Sequence, residues 1–376
     1  MKIICDENIS FAEAAFTQFG KVELLQGRKI NNAALHKADV LIVRSITRVD
    51  KSLLENTNIK FVGTATIGTD HVDVDYLNRM NIKFADAAGC NSDAVAEYLF
   101  TALFRILVDK NISLKNKTIG VIGVGNIGSR VVKLAKAVGL EVIMNDPPLQ
   151  RKTGGNKFSS LAETLQADIV TFHVPLNKDG KDKTIHLLDQ KKIKLLKDEA
   201  ILINASRGPV VDNTALSTLI AKKKLNVVLD VWEHEPEVDI NLLNQTLIAS
   251  PHIAGYSLEG KVNGTYLIYK SFCDFLGETP TWQPNISVPV DSIIKSERNK
   301  STEEILDIIF SKVYLIRRDD KRMRHLIELD EKTRPSYFDL MRKEYPYRRE
   351  FSNYSVNNSP AELKKIIEAF RFKIMD

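Results

Sequence analysis

The chain has 376 residues, 53 Lys and Arg against 48 Asp and Glu, and a formal net charge of +5, so it suits two or three domains and argues against a general nucleic-acid or polyanion-binding role. With 44% hydrophobic and 27% charged residues the composition is that of a soluble globular protein. The opening MKIICDENIS is too short an apolar run for a signal peptide, and no segment approaches the roughly 18 to 20 apolar residues that cross a bilayer, so a cytoplasmic chain with no membrane partner is expected.

Short β-rich runs alternate with helical segments through most of the chain, which predicts an α/β fold built on parallel sheets. KIIC, VLIVRS and KFVGTA suggest one small sheet before residue 90, their ends running into Asp6 or into small and polar residues where a ligand crevice would open. SDAVAEYLFTALFRILVD, residues 92–109, is apolar on almost every side behind a Ser92 cap, so it predicts a buried helix at a crossing between domains. Six further runs follow: TIGVIG, EVIMND, DIVTFH, AILINAS, NVVLDVW and TLIAS. They match a doubly wound nucleotide-binding sheet. From about residue 281 the text changes, with Pro280 and Pro284 at the join, and the tail is expected to be a separate unit. Cys5, Cys90 and Cys273 are odd in number and widely spaced, supporting neither a disulfide framework nor a metal cluster.

Gly123, Gly125 and Gly128 follow the strand TIGVI and open a helix whose apolar face is Val131, Leu134, Ala135 and Val138. A lone GxGxxG is a weak signal; here the strand before it and the helix after it decide. Gly123 permits the turn, Gly125 lets backbone approach a pyrophosphate, and Gly128 lets helix and strand pack closely. The next strand ends in Asp146, placed to accept hydrogen bonds from the adenosine ribose hydroxyls. Its carboxylate would repel a 2′-phosphate, which favours NAD over NADP. No GK[ST] closes the loop, so phosphate transfer of the P-loop type is excluded.

Three polar residues fall just after predicted strands of the second series: Arg207 in INASRGPVVD, Glu235 in LDVWEHEPE and His252 in SPHIAGYS. Taken singly each reads as a surface charge or a structural histidine. Together they form an apparatus for oxidising a 2-hydroxy acid. Arg207 can grip a carboxylate with two parallel hydrogen bonds, His252 can take the hydroxyl proton, and Glu235 can fix the imidazole tautomer from its far nitrogen. His71, His173, His186 and His234 compete for the base and rank lower.

At these residues the sequence resembles the D-isomer-specific 2-hydroxyacid dehydrogenases, over roughly residues 35 to 280. The resemblance implies a Rossmann-type doubly wound NAD domain (94–254) set into a flavodoxin-like split substrate domain (1–93 and 255–280), then a C-terminal α+β dimerisation domain (281–376). MKIICDENI, VRSIT, FVGTATIGTDHVD, GCN, TFHVPLNKDGKDKT and PHIAGYSLEGKVNGT are similar to one branch of the family, which implies a small phosphorylated 2-hydroxy acid as substrate and a homodimer as the working form. Carried over residue by residue, the resemblance implies substrate contacts at Ser45, Thr66 and Tyr256. It implies NAD contacts at Gly123, Gly125, Asn126, Ile127, Gly128, Asp146, Val174, Ala205, Ser206, Arg207, Asp230 and Gly255, and no metal. Arg44, beside Ser45, is a candidate for the substrate phosphate; Arg348 and Arg349 of the tail are alternatives to it. The competing readings are another member of the family, such as one acting on 3-phosphoglycerate, and a non-catalytic NAD-sensing protein built on the same fold.

Overall fold

The computed structural model describes residues 1–346 and 348–375, and these fall into two compact units. The first unit takes Met1–Asn91 and Ser257–Ser287. Its five parallel strands are β1 (Lys2–Asp6), β2 (Lys21–Leu25), β3 (Val40–Val43), β4 (Phe61–Thr64) and β5 (Lys83–Asp86). They lie in the order β2-β1-β3-β4-β5, the flavodoxin-like arrangement in which winding reverses between β1 and β3 and a crevice opens at the carboxyl ends of those strands. Every residue of β3 is buried, as a parallel strand covered on both faces requires. The helix Leu258–Leu276 completes this core by packing Ile268, Phe272 and Cys273 against Cys5, Phe16 and Phe61. Gly264 has to be small there, because a Cβ on it would stand 2.9 Å from the Ala65 carbonyl oxygen.

The second unit takes Ser92–Tyr256 and the chain from Val288 onward. Its main sheet has six parallel strands: β6 (Thr118–Ile122), β7 (Glu141–Asn145), β8 (Ile169–Phe172), β9 (Ile201–Asn204), β10 (Asn226–Leu229) and β11 (Ile248–Ala249). Their order is β11-β10-β9-β8-β6-β7, so the chain steps from β6 outward to β7 and then crosses back to β8. This is the predicted doubly wound sheet, and its switch point lies at the carboxyl ends of β6 and β8.

The tail does not stand apart from this sheet. A small parallel sheet of β12 (Ile293–Lys295), β13 (Ser355–Asn357) and β14 (Lys373–Met375) and the helices around it share one hydrophobic core with the Rossmann-type layer. The reason is the helix Ser92–Lys110. One side of it packs on the helix Asn126–Ala137 and another on the tail helix Thr302–Val313. Phe100 and Phe104 set their rings 5.1 and 5.5 Å from those of Phe370 and Phe310. Each fully buried Phe contributes about 1.5–3 kcal/mol, so an all-round apolar helix of this kind needs a second layer, and the tail supplies it. Among the described residues no helix is long and apolar enough to cross a membrane.

Candidate active site

At the end of β6 the chain turns through Gly123, which has φ +86° and lies so close to β8 that a Cβ would stand 2.5 Å from the His173 carbonyl oxygen. Val174, the next residue, flanks the same glycine. A Cβ on Gly128 would meet the Gly123 carbonyl oxygen at 1.9 Å, whereas one on Gly125 would meet nothing within 4 Å. The loop is therefore tight where helix meets strand and open at Gly125. The helix that begins at Asn126 and Ile127 has no side-chain cap on Gly125, which leaves its first N–H groups for an anion. This cradle fits a dinucleotide pyrophosphate. Asp146, at the end of β7, accepts from the Val124 N–H at 2.7 Å and caps the following helix through the Leu149 N–H at 2.9 Å. Its carboxylate is thus fastened to the glycine loop itself.

Beyond β10, Asp230 is 1% exposed and organises the next turn. One carboxylate oxygen accepts from Ser250 Oγ at 2.6 Å and the Ile253 N–H at 2.8 Å; the other accepts from the Ala254 N–H at 2.9 Å. The Asp230 carbonyl accepts from the His252 N–H at 2.7 Å. His252 itself is held at φ +56°, a left-handed conformation that costs a non-glycine residue about 1 kcal/mol or more and persists only where surroundings over-determine it. The result is that His252 Nδ1 faces Glu235 Oε2 at 2.8 Å, while Glu235 Oε1 accepts from the Trp232 N–H at 2.8 Å. Burial alone would raise the Glu235 pKa, but His252, the two hydrogen bonds and Arg342 outweigh it and hold the carboxyl below its ordinary value. The pair is therefore a carboxylate and an imidazole oriented by it.

Arg207 is half-buried after β9, in a turn folded by Asn204, whose side chain accepts from the Ser206 N–H and Oγ at 3.1 and 2.8 Å and donates to the Arg207 carbonyl at 3.0 Å. Ala205 and Ser206 are buried, at 8% and 6% exposure, so any ligand meets that stretch chiefly through its backbone. Gly255 and Tyr256 follow His252 on the loop that Asp230 anchors. In the first unit, Arg44 and Ser45 follow β3 and Thr66 follows β4; Thr66 Oγ1 shares a 2.8 Å hydrogen bond with Thr64 Oγ1, which also meets His71 Nε2 at 3.0 Å.

The other histidines take different places. Burial pushes His173 down to about 3, so it stays neutral against Thr171, and His234 is exposed. His186 Nε2 meets Glu233 Oε1 at 2.5 Å and His325 Nδ1 meets Glu328 Oε2 at 2.7 Å, two further histidine–glutamate pairs within the same unit. Glu233 lies two positions before Glu235, with only His234 between them, and each carboxylate meets a different histidine. Sequence reasoning missed Arg342. Its Nη2 donates to the Tyr256 hydroxyl at 3.3 Å. Of the two tail arginines it did single out, Arg348 is 5% exposed and reaches the Ala254 carbonyl at 2.5 Å, while Arg349 donates to Asn353. No local motif marks Arg342, because its role is set by how the tail packs.

Residues 106–254 match the family model of the D-isomer specific 2-hydroxyacid dehydrogenase NAD binding domain, and residues 289–370 match a domain of unknown function. The chain is 46% identical over 361 residues to an erythronate-4-phosphate dehydrogenase of Tolumonas auensis, covering 95% of each chain. It is 44% identical over 359 residues to one of Proteus mirabilis, covering 95% of this chain and 94% of the relative. Among solved structures, the D-lactate dehydrogenase from Aquifex aeolicus complexed with NAD and lactic acid superposes with a TM-score of 0.58 at 26% identity, over 74% of this chain and 96% of that one.

Proposed function

Because the chain belongs to the erythronate-4-phosphate dehydrogenases, within the D-isomer-specific 2-hydroxyacid dehydrogenases, we propose that it oxidises 4-phospho-D-erythronate to 2-oxo-3-hydroxy-4-phosphobutanoate with NAD, a step toward pyridoxal phosphate. The observation that carries this reading is the His252–Glu235 pair at 2.8 Å, held in the same compact unit as an open glycine cradle. Arg207 grips the substrate carboxylate and polarises the carbon beside it. His252 Nε2 takes the proton of the 2-hydroxyl, and Glu235 keeps the other ring proton on Nδ1, so Nε2 is bare when needed. Bound NAD would supply the hydride acceptor for C2.

In this proposal Gly123, Gly125, Asn126, Ile127 and Gly128 receive the pyrophosphate and Asp146 the ribose. Val174, Ala205, Ser206, Arg207, Asp230 and Gly255 complete the cofactor contacts, with Asp230 also fixing the catalytic turn. Ser45, Thr66 and Tyr256 hold the substrate, and Arg44 is the first unit's cation for its phosphate. The working form is a homodimer assembled through the tail. Val288, Val290 and Ile293 support this: they are 69%, 99% and 58% exposed, and Ile293 lies on β12 at the edge of the small sheet, an apolar edge that a second copy would cover. The three cysteines form no disulfide, which suits a reducing cytoplasm.

The test is NADH formation from 4-phospho-D-erythronate, 3-phosphoglycerate and unphosphorylated erythronate, with a trap for the oxo product. Turnover favouring 4-phospho-D-erythronate supports the assignment. Preference for 3-phosphoglycerate overturns the substrate, and silence on all three overturns the enzyme in favour of an NAD-sensing protein.

A further inference from the structure

The tail touches the catalytic turn at three points. Arg342 Nη2 donates to the Tyr256 hydroxyl at 3.3 Å, the Tyr345 ring meets the Tyr256 ring edge-on at 5.9 Å, and Arg348 donates to the Ala254 carbonyl at 2.5 Å. Behind them a buried network fixes the contacts. Asp319 accepts from the Tyr314 and Tyr345 hydroxyls at 2.9 and 2.7 Å, and the Arg348 guanidinium stacks 4.3 Å from the Tyr314 ring centre. Arg348 is 5% exposed and sits inside this network, with its Nε and Nη1 lacking hydrogen-bond acceptors among the described residues. Arg342 Nε is likewise buried without an acceptor, but Nη2 of the same fork reaches the Tyr256 hydroxyl. Burial works against its charge, but Tyr256 and Glu235 outweigh it and Asp339 adds to them. Glu235 in turn feels Arg342 as a cation. A permanently charged fork therefore stands beside the hydroxyl of Tyr256, within electrostatic reach of the carboxylate that orients His252, with donor capacity left over on Nε.

We propose that Arg342 is a substrate-binding residue contributed by the tail, and that with Tyr256 it forms a donor pair for the phosphate of the substrate. The inference rests on the phosphorylated-substrate reading above and deepens it. A phosphate monoester carries close to two negative charges near neutral pH. Arg207 is committed to the carboxylate, so the phosphate needs its own cations, and a planar guanidinium matches its oxygens two at a time. The arrangement also gives the tail a part in substrate choice, whatever it does in assembly.

The test compares wild type, Arg342→Gln and Arg342→Lys in two measurements. The first is the ratio of kcat/KM for 4-phospho-D-erythronate to that for unphosphorylated erythronate. Arg342→Gln should lower this ratio by about tenfold or more, the cost of a charge-assisted hydrogen bond, and Arg342→Lys should recover part of it. Equal losses on both substrates would make Arg342 a prop for Tyr256 and overturn the proposal. The second is the thermal shift of NADH-loaded enzyme on adding inorganic phosphate, which should be clear in wild type and lost in Arg342→Gln; an undiminished shift overturns the proposal. If wild type itself does not distinguish the two substrates, the phosphorylated-substrate reading fails, and the phosphate shift still decides whether Arg342 receives the anion.

Discussion

Replacing Glu235 by Gln keeps the size of the side chain and changes one proton. Glu235 Oε1 accepts from the Trp232 N–H at 2.8 Å and Oε2 faces His252 Nδ1 at 2.8 Å. An amide has one acceptor oxygen and one donor nitrogen. The Trp232 N–H can only donate, so the Gln oxygen must take its place there, and the NH2 falls opposite His252 Nδ1. That nitrogen can accept only if it is bare, which puts the ring proton on Nε2, the atom required to receive the hydroxyl proton. Turning the amide the other way leaves a buried N–H unsatisfied, at a cost of about 1–3 kcal/mol. Losing the charge-assisted bond to the developing imidazolium costs about 1.5–3 kcal/mol, or roughly 10- to 150-fold. The wrong tautomer adds to that, as the equivalent Asp-to-Asn change in a serine protease triad costs about 10⁴-fold. We expect kcat to fall by about 10²- to 10⁴-fold. NADH affinity, measured by fluorescence titration, should stay within about twofold of wild type. A kcat within about threefold of wild type would refute the role assigned to Glu235.

The glycines should separate by position. Ala at 128 places a Cβ 1.9 Å from the Gly123 carbonyl oxygen and Ala at 125 meets nothing within 4 Å, so thermal melting should show Gly128→Ala destabilised by about 1–3 kcal/mol or more and Gly125→Ala near wild type but weak in NADH titration. Asp146→Ala should weaken NAD, relax discrimination against NADP, and lose about 1 kcal/mol through the missing helix cap; an unchanged cofactor preference would refute its ribose contact. His173 is held neutral by burial, from an ordinary 6.5 down to about 3. The unfolded chain therefore binds the extra proton, so this contribution is complete above pH 6.5 and is lost as pH falls toward about 3. The Tm of His173→Gln should accordingly depend less on pH in that window, and parallel profiles would contradict the assignment.

Much of this was legible because it depends on local order. Parallel strands announced themselves as short apolar runs, and the glycine spacing made sense only between a strand and a helix. Arg207, Glu235 and His252 each followed a strand of the same sheet. What was not legible depends on packing between distant segments. The helix over residues 92–110 read correctly as buried, but its cover, Phe310 and Phe370 of the tail, carries no mark in its own sequence. The tail therefore read as a separate unit although it shares the Rossmann-type core. Arg342 was hidden for the same reason, since only the buried Asp319–Tyr345–Arg348 framework brings it to Tyr256. Asp230 read as a cofactor contact, and its hydrogen bonds to the His252 turn emerged only from backbone geometry.

If His252 is the base of a 2-hydroxyacid oxidation, its removal must slow hydride transfer without weakening cofactor binding. The most direct test is the rate of NADH formation in a single turnover, with wild type and His252→Ala both saturated with NAD and 4-phospho-D-erythronate. His252→Ala should bind NADH as wild type does and form it at least about 100-fold more slowly, the usual scale of a lost general base. An alanine variant that turns over at nearly the wild-type rate would contradict that role.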